Sequence, residues 1–192
     1  MKELIKNLIE VENKKLFKSL TTFDSKSREN FINLCTLSIK AIKNGNKIIF
    51  YGNGGSASDS QHLATELVVR YQKNRPAISS IALSSDNSMI TAIANDFHFK
   101  KIFSRQLESI GNNGDVLYAI STSSKSKNVI AALKTARNLK IKTIGVTGSD
   151  DSGFKGLCDL TISVPASRPD RIQEMHIAIG QIICEILELE LC

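Results

Sequence analysis

Apolar residues recur along the chain with two different periods. In residues 2–20 and 25–44 they return every three or four positions, which predicts two amphipathic helices. The turn-forming sequence Asn-Gly-Asn at 44–46 ends the second helix. Because neither helix can bury its apolar face alone, we expect residues 1–45 to pack on the main domain or at an interface between subunits.

Beyond residue 46, short apolar runs alternate with helical patterns. Five of the runs predict β-strands, which are 47–52, 77–84, 115–121, 142–148 and 160–166. The clearest helical patterns are 128–139 and 168–190. Strands that are apolar throughout and alternate with helices are typical of a parallel sheet covered on both faces. The sequence therefore predicts a single α/β domain over 1–192, with a five-stranded parallel sheet, helices on both faces and two leading helices.

The composition fits a globular domain and adds a mild basic charge. Of the 192 residues, 42% are apolar, and the formal net charge is +6. A basic chain favours anionic partners such as phosphorylated metabolites, nucleic acid or membrane surfaces. The basic residues are scattered among acidic ones, which is typical of a solvated surface, so we predict no direct binding to nucleic acid.

The cysteines, the N-terminus and the apolar runs bear on the cellular compartment. None of the four cysteines forms a C-x-x-C pair, which favours free thiols in a reducing compartment. Residues 1–15 mix charges every few positions, unlike a secretory signal peptide. The run 177–187 is too short and too polar to cross a bilayer. We therefore expect a soluble cytoplasmic protein without a membrane partner.

Ligand-binding loops are expected at one edge of such a sheet, beyond the carboxyl ends of its strands. They would be 52–58, 84–88, 121–126 and 147–153. The first loop formally fits a dinucleotide-binding glycine pattern, but no acidic residue ends the second strand and no Gly-Lys-Ser/Thr is present. We interpret it as a turn whose backbone N–H groups hold a small polar ligand, although a purely structural turn would use the same glycines.

The loop 121–126, Ser-Thr-Ser-Ser-Lys-Ser, is rich in hydroxyl groups and precedes a predicted helix. Hydroxyl donors, backbone N–H groups and the positive end of a helix dipole can converge there on one anion. Lys125 and Lys127 add positive charge. A serine-rich helix cap would explain part of the pattern, but one serine suffices for a cap. The excess of hydroxyls favours a phosphate site.

Two polar groups lie on helices at the same edge. His62 and Glu66 are four residues apart, and therefore on one helix face. Such a pair binds a divalent metal or transfers protons, and an ordinary surface pair is the alternative. Residues 170–174 place a second polar cluster at the start of the last helix, where we interpret His176 by itself as a histidine with satisfied hydrogen bonds and not as a ligand.

Four segments together resemble the sugar isomerase (SIS) domain and, more narrowly, the phosphoheptose isomerases, also called sedoheptulose 7-phosphate isomerases. They are 52–67 (GNGGSASDSQHLATEL), 81–111, 114–126 (GDVLYAISTSSKS) and 170–176 (DRIQEMH). The resemblance spans nearly the whole chain and keeps the order and spacing of the motifs. It implies a flavodoxin-like, doubly wound fold and a homotetramer with active sites at subunit interfaces.

The resemblance also implies a set of site residues. Sugar-phosphate contacts would fall on Asn53, Gly54, Gly55, Ser56, Glu66, Asn95, Asp96, Ser121, Thr122, Ser123, Ser126, Asp170 and Gln173. A zinc ion would be held by His62, Glu66, Gln173 and Gln181. Glu66 and the residue at position 181 would carry the catalysis.

The implied reaction converts sedoheptulose 7-phosphate into D-glycero-D-manno-heptose 7-phosphate through an enediol, in the synthesis of heptose for lipopolysaccharide. Glu66 is the expected base, which moves a proton between neighbouring carbons. A metal ion would polarise the carbonyl group. The phosphate loop would hold the substrate in register.

Two positions depart from the family pattern. Gln181 stands where the isomerases have a histidine that binds the metal, and glutamine neither titrates near neutral pH nor binds zinc strongly. Ser124-Lys125 replaces the usual Gly-Asn. A related SIS branch lacks the distal histidine and binds the replication initiator DnaA without catalysis, but it usually lacks the equivalent of Glu66 as well. A non-catalytic phosphosugar-binding protein of that kind is the alternative, and an isomerase or sensor of other specificity is the third reading.

Overall fold

The computed structural model describes residues 25–192 and, before them, the helical positions 7, 11 and 14. The rest of the predicted helix 2–20 lies outside the described residues. The second predicted helix is confirmed as α1, Ser25–Lys43. It ends where Gly45 adopts a φ of 80°, a conformation that glycine reaches without steric cost. Because α1 packs on the body of the same domain, a place for 1–45 at a subunit interface stays a prediction.

All five predicted strands are confirmed. They are β1 (Ile48–Gly52), β2 (Ser80–Ala82), β3 (Val116–Ile120), β4 (Lys142–Thr147) and β5 (Leu160–Ser163). Every pairing is parallel, and the strand order is β2-β1-β3-β4-β5. This is the flavodoxin-like, doubly wound order. β2 is shorter than the predicted 77–84 because it is an edge strand that pairs only with Ile48–Phe50 of β1.

Five further helices follow α1. They are α2 (Gly55–Val68), α3 (Asn87–Asp96), α4 (Ser104–Ile110), α5 (Lys127–Asn138) and α6 (Pro169–Leu191), with a 3-10 turn at Phe99–Lys101. The patterns at 128–139 and 168–190 are therefore confirmed as α5 and α6. α3 buries a single side chain, Ile93, which explains why apolar periodicity marks it so weakly.

The helices cover both faces of the sheet, as predicted. On one face, Leu34 of α1, Leu63 of α2 and Met175 of α6 belong to one buried cluster. On the other face, Leu107 of α4 and Leu133 of α5 belong to a second cluster. β1 and β3 are buried along their whole length between the two layers. The fold is thus a three-layer α/β domain.

The sheet topology determines which loops meet. β1 and β3 are hydrogen-bonded neighbours, and Gly52 at the end of β1 lies opposite Ile120 at the end of β3. The turn at 53–54 and the loop 121–126 consequently begin side by side. Within the described part of the chain, no helix has the length and apolar character that a membrane span requires.

Candidate active site

The glycine turn after β1 brings the backbone close to the last helix. Gly54 has a φ of 57°, a left-handed conformation that favours glycine. A Cβ atom added at Gly55 would lie 2.5 Å from the side-chain amide nitrogen of Gln173 on α6. The turn therefore needs glycine for two separate reasons, and it brings Gln173 of α6 next to the start of α2.

A pair of asparagines joins this turn to the hydroxyl-rich loop. The Asn53 amide nitrogen donates to the Asn128 side-chain oxygen at 2.9 Å, and the Asn128 amide nitrogen donates back at 2.8 Å. The same oxygen of Asn128 accepts the backbone N–H of Val129. Asn128 lies in the first turn of α5 and was missed by sequence reasoning. Both polar atoms of the Asn53 side chain are engaged with it, so Asn53 positions the turn.

The hydroxyl-rich loop leads from β3 into α5. Ser121 is buried and its backbone N–H donates to Val146 of β4, which seats the loop on the sheet. Ser126 precedes the first residue of α5, yet no hydrogen bond from its side chain caps the helix among the described residues. The hydroxyl of Ser126 is therefore not committed to a structural cap. This favours the phosphate-site interpretation over the capping alternative.

The departure at Ser124-Lys125 ties the loop to the turn after β4. Ser124 has a φ of 55°, which accounts for the glycine that the family usually has there. Its hydroxyl donates to the carbonyl oxygen of Asp150 at 3.0 Å and accepts the N–H of Gly153 at 3.1 Å. Lys125 Nζ lies 2.6 Å from the Asp150 carboxylate. Hydrogen bonds from Lys125 and Ser152 hold the pKa of Asp150 well below its usual range. Lys125 is therefore paired with Asp150 beside the loop.

The His62–Glu66 pair is confirmed, and Gln181 joins it. His62 Nε2 lies 3.0 Å from Glu66 Oε1 on α2. The Gln181 amide nitrogen, on α6, lies 3.1 Å from His62 Nε2 and 3.5 Å from Glu66 Oε1. The Glu66 side chain is 21% exposed and that of His62 is 52% exposed, so the three polar groups face an accessible site. Three of the four predicted metal ligands are thus in one cluster.

The donor chemistry of this cluster is a poor match for zinc. Protein-bound zinc prefers histidine nitrogen, cysteine sulfur and carboxylate oxygen. Only His62 and Glu66 supply such atoms, because Gln173 and Gln181 are amides. Across the described residues, no group of three or more His, Cys, Asp or Glu side chains could hold a metal ion. The zinc site implied by the family pattern stays a prediction.

Two titratable groups on the helices of the cluster have shifted pKa values, one of them half-buried and the other buried. Asp59 is one turn before His62 on α2, and burial raises its pKa to about 6 while His62 opposes the shift. His176 is 2% exposed on α6. Burial lowers the pKa of His176 to about 4, and the neighbouring backbone of Thr147 opposes that shift. His176 is therefore neutral near pH 7, but neither of its buried ring nitrogens has a hydrogen-bond partner within the described residues, so the expectation of a histidine with satisfied hydrogen bonds is wrong.

The remaining predicted contacts are spread around the edge. The Asn95 amide donates to the Asp96 carboxylate at 2.8 Å, and both are exposed at the end of α3. Asp170 is bonded to Arg168 at the start of α6, and this bond lowers the Asp170 pKa. The structure engages these side chains with near neighbours, so their contact with substrate stays a prediction. Thr122 and Ser123 lie in the hydroxyl-rich loop beside Ser121.

A buried ion pair that the sequence did not reveal secures α2 against α6. Arg75 Nε donates to Glu188 Oε1 at 2.8 Å, and the other guanidinium nitrogens donate to the backbone carbonyls of Glu66 and Leu67. Burial acts to raise the Glu188 pKa, but the N–H groups of residues 71–73 and Arg75 outweigh it and lower the pKa to about 2. The C-terminal end of α2, which carries Glu66, is therefore fixed against α6 by this ion pair.

A doubly wound sheet with a glycine turn and a hydroxyl-rich loop at one edge defines the SIS class of proteins, and the family model for the SIS domain matches residues 13–148. The phosphoheptose isomerase of Nitratiruptor sp. is 46% identical over 184 residues, which cover 94% of this chain and 98% of the relative. The phosphoheptose isomerase of Akkermansia muciniphila is 47% identical over 163 residues, 85% of each chain. The chain belongs to the phosphoheptose isomerase family of SIS-domain proteins.

Solved structures agree with this assignment. The structure of a phosphoheptose isomerase from Neisseria gonorrhoeae has a TM-score of 0.88 and 33% identity, and covers 96% of this chain and 98% of its own. A phosphoheptose isomerase from Francisella tularensis has the same TM-score at 27% identity. The likeness extends over nearly the entire length of all these proteins.

Proposed function

We propose that this protein is an aldose–ketose isomerase that converts sedoheptulose 7-phosphate into D-glycero-D-manno-heptose 7-phosphate. The observation that carries the proposal is the position of Glu66. Its half-buried carboxylate faces an accessible site, in the last turn of the helix that begins at the glycine turn. The names of the relatives, which are phosphoheptose isomerases, support the choice of substrate.

The reaction needs one base and one anchor. The hydroxyl-rich loop and the N-terminal end of α5 bind the phosphate group, which fixes the sugar relative to α2. Glu66 then takes the proton from C1, beside the C2 carbonyl of the ketose, and returns it to C2 after the enediol has formed. The hydroxyl proton moves from O1 to O2 in the same sequence of steps. His62, whose Nε2 lies 3.0 Å from Glu66 Oε1, is the side chain that we expect to assist the transfer of this hydroxyl proton.

Substitution of Glu66 tests this function. Glu66→Gln should lower the rate of aldose phosphate formation by about 10²–10⁴-fold, the usual contribution of a positioned base, and leave the thermal midpoint nearly unchanged. Glu185→Gln on α6, an exposed site, makes the same change of charge as a control. Full activity of Glu66→Gln would show that this carboxylate is not the base.

The alternative, a non-catalytic SIS protein that binds DnaA, is favoured by one observation, the glutamine at 181. The retained Glu66 and the names of the relatives favour the enzyme. Wild-type protein that binds the sugar phosphate, but never turns it over, would support the alternative, and co-purification with DnaA would then be the next measurement.

We also propose that the protein acts in the cytoplasm as a homotetramer and supplies heptose for lipopolysaccharide. Several large apolar side chains are exposed on the single domain, which a subunit interface would bury. They include Val69 at 63%, Phe97 at 48% and Phe99 at 59%. Light scattering coupled to size exclusion should report four chains per particle, and a monomer mass would contradict this proposal.

A further inference from the structure

We propose that Gln181 makes this active site independent of zinc, because its amide N–H group lies where the family pattern places a metal ligand. The catalytic half of this inference rests on the proposed isomerase function, but the metal-binding half does not. In this account Gln181 is a positioning residue that acts through Glu66.

The packing of α6 on α2 places Gln181 in the cluster. Gly180 precedes it, and a Cβ atom there would lie 2.5 Å from Leu63 Cδ1 on α2. The missing side chain lets the two helices approach closely. The next residue, Gln181, then reaches His62 at 3.1 Å and Glu66 at 3.5 Å. The helix contact that sets the position of Gln181 lies in the core, because Gly180 and Leu63 are both buried.

The chemistry of Glu66 determines which end of the Gln181 amide faces the cluster. A carboxylate oxygen only accepts hydrogen bonds, so it favours the amide nitrogen and disfavours the amide oxygen. The amide nitrogen donates hydrogen bonds and offers no lone pair to a metal ion. To bind zinc, the amide would have to turn its oxygen inward, toward another acceptor. The Gln181 N–H group and the Glu66 carboxylate are therefore complementary without an ion.

A neutral donor next to Glu66 has a catalytic consequence. The Gln181 N–H group and His62 both contact Oε1 of Glu66, so Oε2 is the carboxylate oxygen that acts as the base. A chain with this arrangement needs no metal to hold Glu66 and His62 in place. We therefore expect its turnover to be insensitive to chelators, and a histidine restored at position 181 to create a zinc site.

The zinc affinity of the protein tests the metal-binding half of the inference. It is measured by competition with a chromophoric zinc chelator at neutral pH. Gln181→His should bind zinc about 100-fold more tightly than wild type, since even an outer partner of a zinc ligand changes affinity 10–100-fold. Zinc should raise the thermal midpoint of that variant and leave that of wild type unchanged. Gln72→His, at an exposed site in the segment after α2, is the matched control. Wild type that binds zinc as tightly as Gln181→His would overturn the inference, and the wild-type titration stands even if the variant does not fold.

The second measurement is the rate of aldose phosphate formation after dialysis against EDTA. Wild type should keep its rate, and Gln181→His should lose activity that added zinc restores. Wild-type activity that EDTA abolishes and zinc restores would overturn the inference. If wild type is inactive in both conditions, the proposed function fails, while the zinc affinities still decide the metal-binding half.

Discussion

The side-chain amides of Asn53 and Asn128 exchange two hydrogen bonds, of 2.9 and 2.8 Å. This pair connects the glycine turn after β1 to the first turn of α5, which follows the phosphate loop. The glycine turn and the first turn of α5 are thereby held at a fixed separation. In the proposed function, this link sets the position of the phosphate group relative to the helix that begins at the glycine turn.

Asn128→Ala should therefore weaken substrate binding and stability together. Asn128 is 3% exposed, and its loss leaves the Asn53 amide without its partner, which costs about 1–3 kcal/mol. We expect KM for the ketose phosphate to rise by more than kcat falls. Asn138→Ala, exposed at the other end of α5, should change neither quantity. An unaltered KM in Asn128→Ala would mean that the amide pair does not set the geometry of the site.

Ser124 combines a left-handed backbone with two side-chain hydrogen bonds. The glycine variant at this position should therefore be more stable than the alanine variant. Ser124→Ala loses both bonds and keeps the strained Cβ atom, whereas Ser124→Gly loses the bonds but relieves about 1 kcal/mol of strain. Urea unfolding should rank wild type above Ser124→Gly and Ser124→Gly above Ser124→Ala. Ser109→Ala, at an exposed site on α4, is the control, and the reverse order of the two variants would refute this explanation.

Arg75 should not be replaceable by lysine. Its three guanidinium nitrogens reach Glu188 and the backbone carbonyls of Glu66 and Leu67, each at 2.8 Å. A lysine ammonium lacks the planar fork that makes these contacts. Arg75→Lys should lower Tm by about 5 °C or more and reduce turnover, because the last turn of α2 carries Glu66. Arg105→Lys, in an exposed pair with Glu108, should leave Tm unchanged; equal effects of the two changes would contradict the prediction.

His176 should make the protein less stable in mild acid. Its pKa is about 4 in the folded protein and about 6.5 in the unfolded chain. The unfolded state therefore binds the proton first, and stability falls as the pH drops from 6.5 to 4, by about 3 kcal/mol at the lower end. Full stability from this source is present above pH 6.5.

Unfolding free energies at pH 7 and pH 4.5, for wild type and His176→Gln, measure this effect. Wild type should lose more stability over the interval than the variant, which cannot titrate at this position. Asp59, with a pKa raised to about 6, acts in the opposite direction between about pH 4 and 6. It is present in both proteins, so the difference between them isolates His176. If the unfolding free energies of wild type and His176→Gln change equally with pH, His176 is not the source of the acid sensitivity.

The sequence by itself determined the sheet and the edge at which the site lies. β1, β3 and β4 are apolar runs because both of their faces are covered, and such runs can be recognised without a structure. Parallel strands place all their carboxyl ends on one edge, which located the glycine turn and the hydroxyl-rich loop. The His62–Glu66 pair was also readable, since residues four apart share one face of a helix. The sequence predicted α3 and the extent of β2 less well. α3 buries a single side chain, and β2 pairs with a single neighbouring strand, so neither element has a strong apolar pattern.

Only the tertiary structure decided which distant residues meet. Gln181 reaches His62 across 119 positions of sequence, and Asn53 reaches Asn128 across 75. These contacts depend on the strand order and on how closely α6 packs on α2, neither of which leaves a local pattern in the chain. The resemblance to the phosphoheptose isomerases implied that a histidine is replaced at position 181. The packing of Gly180 on Leu63 then placed the amide of Gln181 against Glu66, where it can replace a metal ligand with a hydrogen-bond donor.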